Sequence, residues 1–193
     1  KTNIPGKKTN ETLHTIAKNI HQSLELNKEE YFNEIINYID VEKFAKAYAV
    51  ASAFGSFHSI AKNNIRYYIS PYTLKLEPII RDHGPKKLTE NNIHYNKIYI
   101  LLLKNENFKK IFRETIFDLE KKLSWIKKKN KEICMPYGKI CEKQFRLEEL
   151  KQNINYLKNN ELNFKNILRE NKGKFDTKNN YNINKKKLNI RAF

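Results

Sequence analysis

Residues 58–82 read HSIAKNNIRYYISPYTLKLEPIIRD, and they interrupt a chain that otherwise carries the pattern of lysine-rich helix. Ile65 to Ile69 is β-branched and aromatic, Ser70-Pro71-Tyr72-Thr73 has turn composition, and Leu74, Leu76 and Pro78-Ile79-Ile80 suit a returning strand. The stretch therefore predicts a β-hairpin, with Pro78 confining the second strand to an edge on its N–H side. In an antiparallel pair, directly opposed Cα atoms stand about 4.5–5.5 Å apart. With the turn centred near Tyr72–Thr73, residues 63–64 face residues 81–82, so an asparagine pair meets Asp82 with His58 upstream. An amide oxygen and a carboxylate are the hard ligands Mg²⁺ takes from protein, leaving its other positions to water and phosphate. The hairpin thus reads as a way to assemble one metal site from the pair Asn63-Asn64 and Asp82.

Outward from this patch the chain is helical. Leu13, Ile16, Ala17 and Ile20 have helical spacing, with a start near Asn10 or Thr12. Asn27 and Glu30 form a capping-box pattern ahead of Tyr31, Phe32, Ile35, Ile36 and Ile39. Asp40 precedes VEKFAKAYAVASAF, which is apolar nearly all round and so predicts a buried central helix ended by Gly55. Beyond Asn91 we expect a helix over 94–104, one long helix from 105 or 107 to 129 with Trp125 in its core, a loop over 130–142, and helices at 143–158 and 161–170. The tail, 171–193, carries seven basic residues against Asp176 and is expected to be mobile. The fold class expected is mainly α with a small β-hairpin, with residues 1–170 forming one domain and 64–82 its hairpin.

Composition narrows the function. The 193 residues carry a net charge of +17, which invites a nucleic-acid reading. Lysine outnumbers arginine 32 to 6, however, and nucleic-acid readers favour arginine for bidentate contacts. Abundant Lys, Asn and Ile together are what AT-rich coding produces with no partner, so a nucleic-acid partner is not expected. No apolar run is long enough to span a membrane. Cys134 and Cys141 lack the further ligands of a zinc site, and two free thiols are the expected state, although a disulfide across the short loop stays open. The chain begins at Lys1 without a signal-peptide pattern and reads as a fragment whose compartment is open.

The order of helix, His and Asn, hairpin, then Asp82-His83-Gly84 matches the layout of a protein-kinase catalytic loop followed by its metal-binding Asp-x-Gly. In IDVEKFAKAYAVASAFGSFHS, NNIRYYISPYTLKLEPIIRD and NENFKKIFRETIFDLEKKL the sequence resembles the spore-coat protein H (CotH) kinase family, atypical bacterial and fungal relatives of protein kinases. The resemblance covers roughly residues 35–125. It implies an atypical protein-kinase-like C-terminal lobe whose N-terminal lobe lies elsewhere, and Mg-dependent transfer of phosphate from ATP to a Ser or Thr hydroxyl of a protein substrate. It implies that Asp82 and Asn64 hold the metal, that His58 and Asp82 carry catalysis, and that Asn63 and Arg66 contact the nucleotide. Where relatives have Asp, His58 and Ser59 stand here, and His83 replaces a second acidic residue. An isolated lobe of this kind should have little activity. The competing readings are an inactive structural or interaction protein of the same fold, and a basic nucleic-acid-binding helical domain.

Overall fold

A computed structural model describes residues 7–26, 35–60, 65–80, 87–88, 97–144 and 146–161. The expected tail at 171–193, the capping box at Asn27–Glu30 and the helix at 161–170 lie outside them, apart from Glu161. The fold is mostly helical with a two-stranded antiparallel sheet, as the sequence pattern anticipates. The chain divides into two compact units, one containing residues up to Asp40 with Arg66–Ile79, the other containing Val41–Ile65 and the chain from Ile80 to Phe164.

In the first unit, helix α1 (Lys7–Leu26) buries Ile16, Ala17 and Ile20 and starts earlier than their spacing suggests. The hairpin pairs β1 (Arg66–Ile69) with β2 (Leu76–Ile79), Arg66 opposite Ile79 and Ile69 opposite Leu76. Its loop is closed by the Ser70 amide donating to the Lys75 carbonyl at 2.9 Å and the Leu74 amide donating to the Ser70 carbonyl at 2.8 Å. On the outer side of β2, the Leu76 amide donates to the Tyr38 carbonyl and the Asp40 amide to the Leu76 carbonyl, giving a parallel bridge between Ile39 and Leu76. The next amide that could extend that ladder belongs to Pro78, which has no N–H. The bridge therefore stops after one pair, and the proline terminates the sheet as its edge role requires.

In the second unit, helix α2 (Val41–Ala53) is the buried central helix expected from its composition; Phe44, Ala45, Tyr48, Ala49, Ala51, Ser52 and Ala53 are buried. Gly55 adopts a φ of 63°, the Ser56 amide donates to the Ala51 carbonyl, and the Gly55 amide donates to the Ser52 carbonyl. This double bond pattern is a Schellman cap, and a Cβ at Gly55 would be strained in it. The short helix α3 (Phe57–Ile60) follows at once. Helices α4 (Lys97–Leu102) and α5 (Glu106–Lys121) supply the remaining aromatic core. Tyr48, Tyr99, Phe108 and Phe112 are fully buried, with Tyr48 and Tyr99 ring centroids 4.7 Å apart and Tyr99 and Phe108 at 5.9 Å. Asn105 caps α5, its side-chain oxygen accepting from the Phe108 amide at 2.9 Å.

Three expectations are corrected here. The single long helix is two, because the chain breaks at Lys122 (φ −89°, ψ 0°) before α6 (Leu123–Cys134) begins. The Lys122 amide is shared between the Asp118 and Leu119 carbonyls, a one-residue interruption that leaves the apolar pattern intact on both sides and that periodicity does not register. The expected loop over 130–142 is mostly helical: α6 runs into it, a 3₁₀ turn covers Met135–Tyr137, and α7 covers Lys139–Gln144. Cys134 and Cys141 are not free thiols but a disulfide, with their Cα atoms 5.3 Å apart. Pro136 in the 3₁₀ turn and Gly138 at a φ of 72° fold the chain back within seven residues, which is what brings the sulfurs together. Helix α8 (Leu147–Tyr156) and a π turn (Leu157–Glu161) complete the unit, with Lys158 making a bidentate ion pair to Glu120 of α5 at 2.8 and 2.9 Å.

Leu74 holds a φ of 56° in the hairpin loop, a left-handed conformation that costs a β-carbon-bearing residue about 1 kcal/mol. Leu74→Gly removes that penalty, and we expect it to raise stability by about 0.5 kcal/mol, measured by urea denaturation with an unchanged m-value. A loss of stability would mean that the half-exposed Leu74 side chain contributes packing that outweighs its backbone cost.

Candidate functional site

The candidate segment runs from the end of α2, through α3 and the hairpin, to Leu88. His58 lies on α3, in a single helical turn rather than in an open loop, and its side chain is exposed. That turn is anchored from inside. The Ser59 hydroxyl donates to the Ser56 carbonyl at 2.5 Å, and Ser56 and Ser59 are both buried. Of the adjacent His58 and Ser59, only the imidazole can meet a ligand in solution. The serine hydroxyl is enclosed and already donated.

Arg66 opens β1 and is exposed at the end of the hairpin away from its turn. Neither of the successive strand residues Tyr67 and Tyr68 is buried; Tyr67 is half-buried and Tyr68 exposed. Asn63, Asn64, Arg81, Asp82 and His83 lie outside the described residues. The sequence positions nevertheless retain a relation to the sheet that is observed. Each ladder partner pair is fixed by the register, and Asn63 and Asp82 each stand three residues beyond the Arg66–Ile79 pair. Among the described residues no group of three or more His, Cys, Asp or Glu is placed to hold a metal ion.

A residue that periodicity did not single out governs this region. Asn153 on α8 is 1% exposed. Its side-chain oxygen accepts from the Leu88 amide at 2.8 Å, and its side-chain nitrogen donates to the Ala53 carbonyl at 3.0 Å. Ala53 is the last residue of α2, and Leu88 follows the hairpin. One amide thus satisfies the backbone at both ends of the segment that carries His58, Asn63, Asn64, Arg66 and Asp82. Its signal was present in the sequence: Leu150, Asn153, Ile154 and Leu157 fall at i, i+3, i+4 and i+7, so Asn153 occupies an apolar stripe where a polar residue must find buried partners.

A concavity lies in the first unit. It is an open depression of about 510 Å³ lined by Glu11, Thr12, Thr15, Ile16, Asn19 and Tyr38. It mixes one carboxylate with hydroxyls and an amide, and none of the residues expected from the sequence to do chemistry lines it.

Replacing Asn153 by Leu keeps the branched shape and removes both partners. Two buried backbone groups are then left unpaired, at about 1–3 kcal/mol each. We expect Asn153→Leu to lower stability by about 2–4 kcal/mol, and hydrogen exchange at the Leu88 amide to accelerate more than at core amides of α5. Uniform acceleration throughout would contradict a local clamp.

Compared with known protein families, characterised proteins and solved structures, the chain matches none.

Proposed function

We propose that the chain is the helical lobe of an atypical, CotH-like protein kinase and contributes the metal-binding half of a Mg-dependent phosphotransfer site. The observation that carries this reading is the hairpin register. The reading needs residues 63–64 and 81–82 to be neighbours; the observed ladder ends at Arg66–Ile79, with Ile65 and Ile80 outside the strands, and its register sets Asn63 in line with Asp82 and Asn64 in line with Arg81. The donor chemistry fits: a carboxylate from Asp82 and an amide oxygen from Asn64 are two hard oxygen ligands of the kind Mg²⁺ accepts. When bound, the cation would supply charge neutralisation at the phosphate oxygens of ATP.

The protein's own groups then have distinct tasks. The exposed imidazole of His58, held outward by the one-turn helix, would accept the proton of the acceptor hydroxyl. Arg66, exposed at the same hairpin end that leads to Asn63, would meet a phosphate oxygen, and Asn63 the nucleotide. Asn153 touches none of these reactants and acts by fixing the ends of the segment. The protein substrate would bear a Ser or Thr hydroxyl.

The disulfide favours a second reading. Disulfides persist in oxidising surroundings, where a coat or envelope protein could keep this fold as an interaction module without turnover.

Thermal denaturation with ATP, with and without MgCl₂, tests the first reading. Binding that requires Mg²⁺ should raise Tm by several degrees, and Asp82→Ala should abolish the shift, with Asn64→Ala weakening it at least tenfold in ATP concentration. Equal shifts for parent and Asp82→Ala would remove the metal-site assignment. A Mg-dependent shift with no phosphate transferred to any protein, even with the complete polypeptide, would favour the second reading.

A further inference from the structure

The α6–α7 turn exposes large apolar side chains at a density found nowhere else among the described residues. Ile133 is 65% exposed, Met135 79%, Tyr137 72% and Ile140 73%. All four lie within or beside the loop closed by the Cys134–Cys141 disulfide, so the cross-link keeps them in one short turn. Trp125, the protein's single tryptophan, is 58% exposed on α6, eight residues before Ile133 and therefore about 12 Å along the helix. The sequence pattern assigned Trp125 to the core, and the structure places it at the surface instead.

Charge surrounds this apolar ridge. Residues 121–141, KKLSWIKKKNKEICMPYGKIC, carry seven lysines against the single acid Glu132, and no arginine. At 100° per residue, Trp125, Lys129, Lys122, Ile133 and Ile126 fall on one face spanning about 100° of α6. Lysines interleave with the apolar residues there, and Lys129 also pairs with Glu132 at 2.6 Å. Exposed Trp, Tyr, Ile and Met side chains interleaved with lysines are the composition of an interfacial membrane contact. Lysine stems can lie along the apolar surface while their heads stay in the headgroup layer.

We propose that the disulfide-closed α6–α7 tip docks on an anionic phospholipid surface, inserting Met135, Tyr137 and Ile140 below the headgroups while the α6 lysines neutralise lipid charge. The charge complementarity selects anionic over neutral lipid. A nucleic acid would use the lysines but leave the protruding Ile and Met in water, and an apolar protein groove would use the tip but gain nothing from seven ammonium groups. No described helix is long and apolar enough to cross a membrane, so the contact is one of lying on the surface. It requires neither ATP nor Mg²⁺ and stands apart from the phosphotransfer reading.

Fluorescence of Trp125 tests it directly in the whole chain. Vesicles of phosphatidylcholine with 40 mol % phosphatidylserine should shift its emission to the blue, and brominated acyl chains should quench it, while pure phosphatidylcholine vesicles do neither. Met135→Ser, Tyr137→Ser and Ile140→Ser together should weaken binding at least tenfold in a sedimentation assay; because all three sites are exposed, the variant's circular dichroism and Tm should match the parent. Raising salt to 0.5 M should also weaken binding at least tenfold. An unmoved emission maximum with the anionic vesicles would overturn the proposal, as would full binding by the triple variant. So would the same blue shift on adding duplex DNA without lipid, or on concentrating the protein alone, since a polyanion or a second copy would then be the occupant. Quenching by brominated lipid needs no variant, so misfolding of the triple substitution would leave that arm decisive.

Discussion

A single buried amide ties distant parts of the second unit together. Asn153 of α8 pairs with the last carbonyl of α2 and with the amide of Leu88, three stretches of chain that share no local sequence. The constraint is strict because both partners are backbone groups in an interior with no water to replace them. An apolar residue at 153 could fill the space but could not pair with either. The aromatic cluster of Tyr48, Tyr99, Phe108 and Phe112 supplies the bulk of the cohesion. The amide supplies the position, which dispersion and burial do not specify.

Much of this arrangement is legible in the sequence, for definite reasons. The hairpin is read correctly because β-branched and aromatic residues, a Ser-Pro turn and a proline in the second strand all agree, and the observed ladder centres where the composition places the turn. The buried α2 follows from its all-round apolar pattern, and its end from Gly55. Periodicity fails where the helix is interrupted without a change of pattern. Lys122 is compatible with helix in both neighbours, so nothing in the side chains marks the break. The 130–142 region shows the opposite failure. Pro136 and Gly138 suggest a loop, yet each acts locally, one inside a 3₁₀ turn and one after it, and helices close in on both sides.

The disulfide was missed because spacing alone cannot decide it. Cysteines seven residues apart meet only if the chain reverses between them, and the reversal depends on Gly138 taking a left-handed φ. Loop-closure entropy for so short a ring gives about 2.5 kcal/mol. That stabilisation falls on a turn with little burial of its own, since Met135, Tyr137 and Ile140 all face solvent. The surface position of Trp125 has a separate cause. At 100° per residue Trp125 falls about 180° from the buried Ile116, so even a helix continued straight through Lys122 would have faced it away from the stripe of Phe108, Phe112 and Ile116.

The candidate site is legible to a different depth. Residue types can propose that His58, Asn63, Asn64, Arg66 and Asp82 belong together, because strand pairing converts sequence separation into proximity by arithmetic. They cannot reveal the pairing of Asn153 with Ala53 and Leu88, since that depends on α8, far along the chain. The physical order is therefore the reverse of the order of reading. Packing of α8 against α2 and α5 sets Asn153, and Asn153 satisfies the backbone of Ala53 and Leu88. The tolerance of α8 to substitution should follow the backbone groups it must satisfy rather than its own exposure.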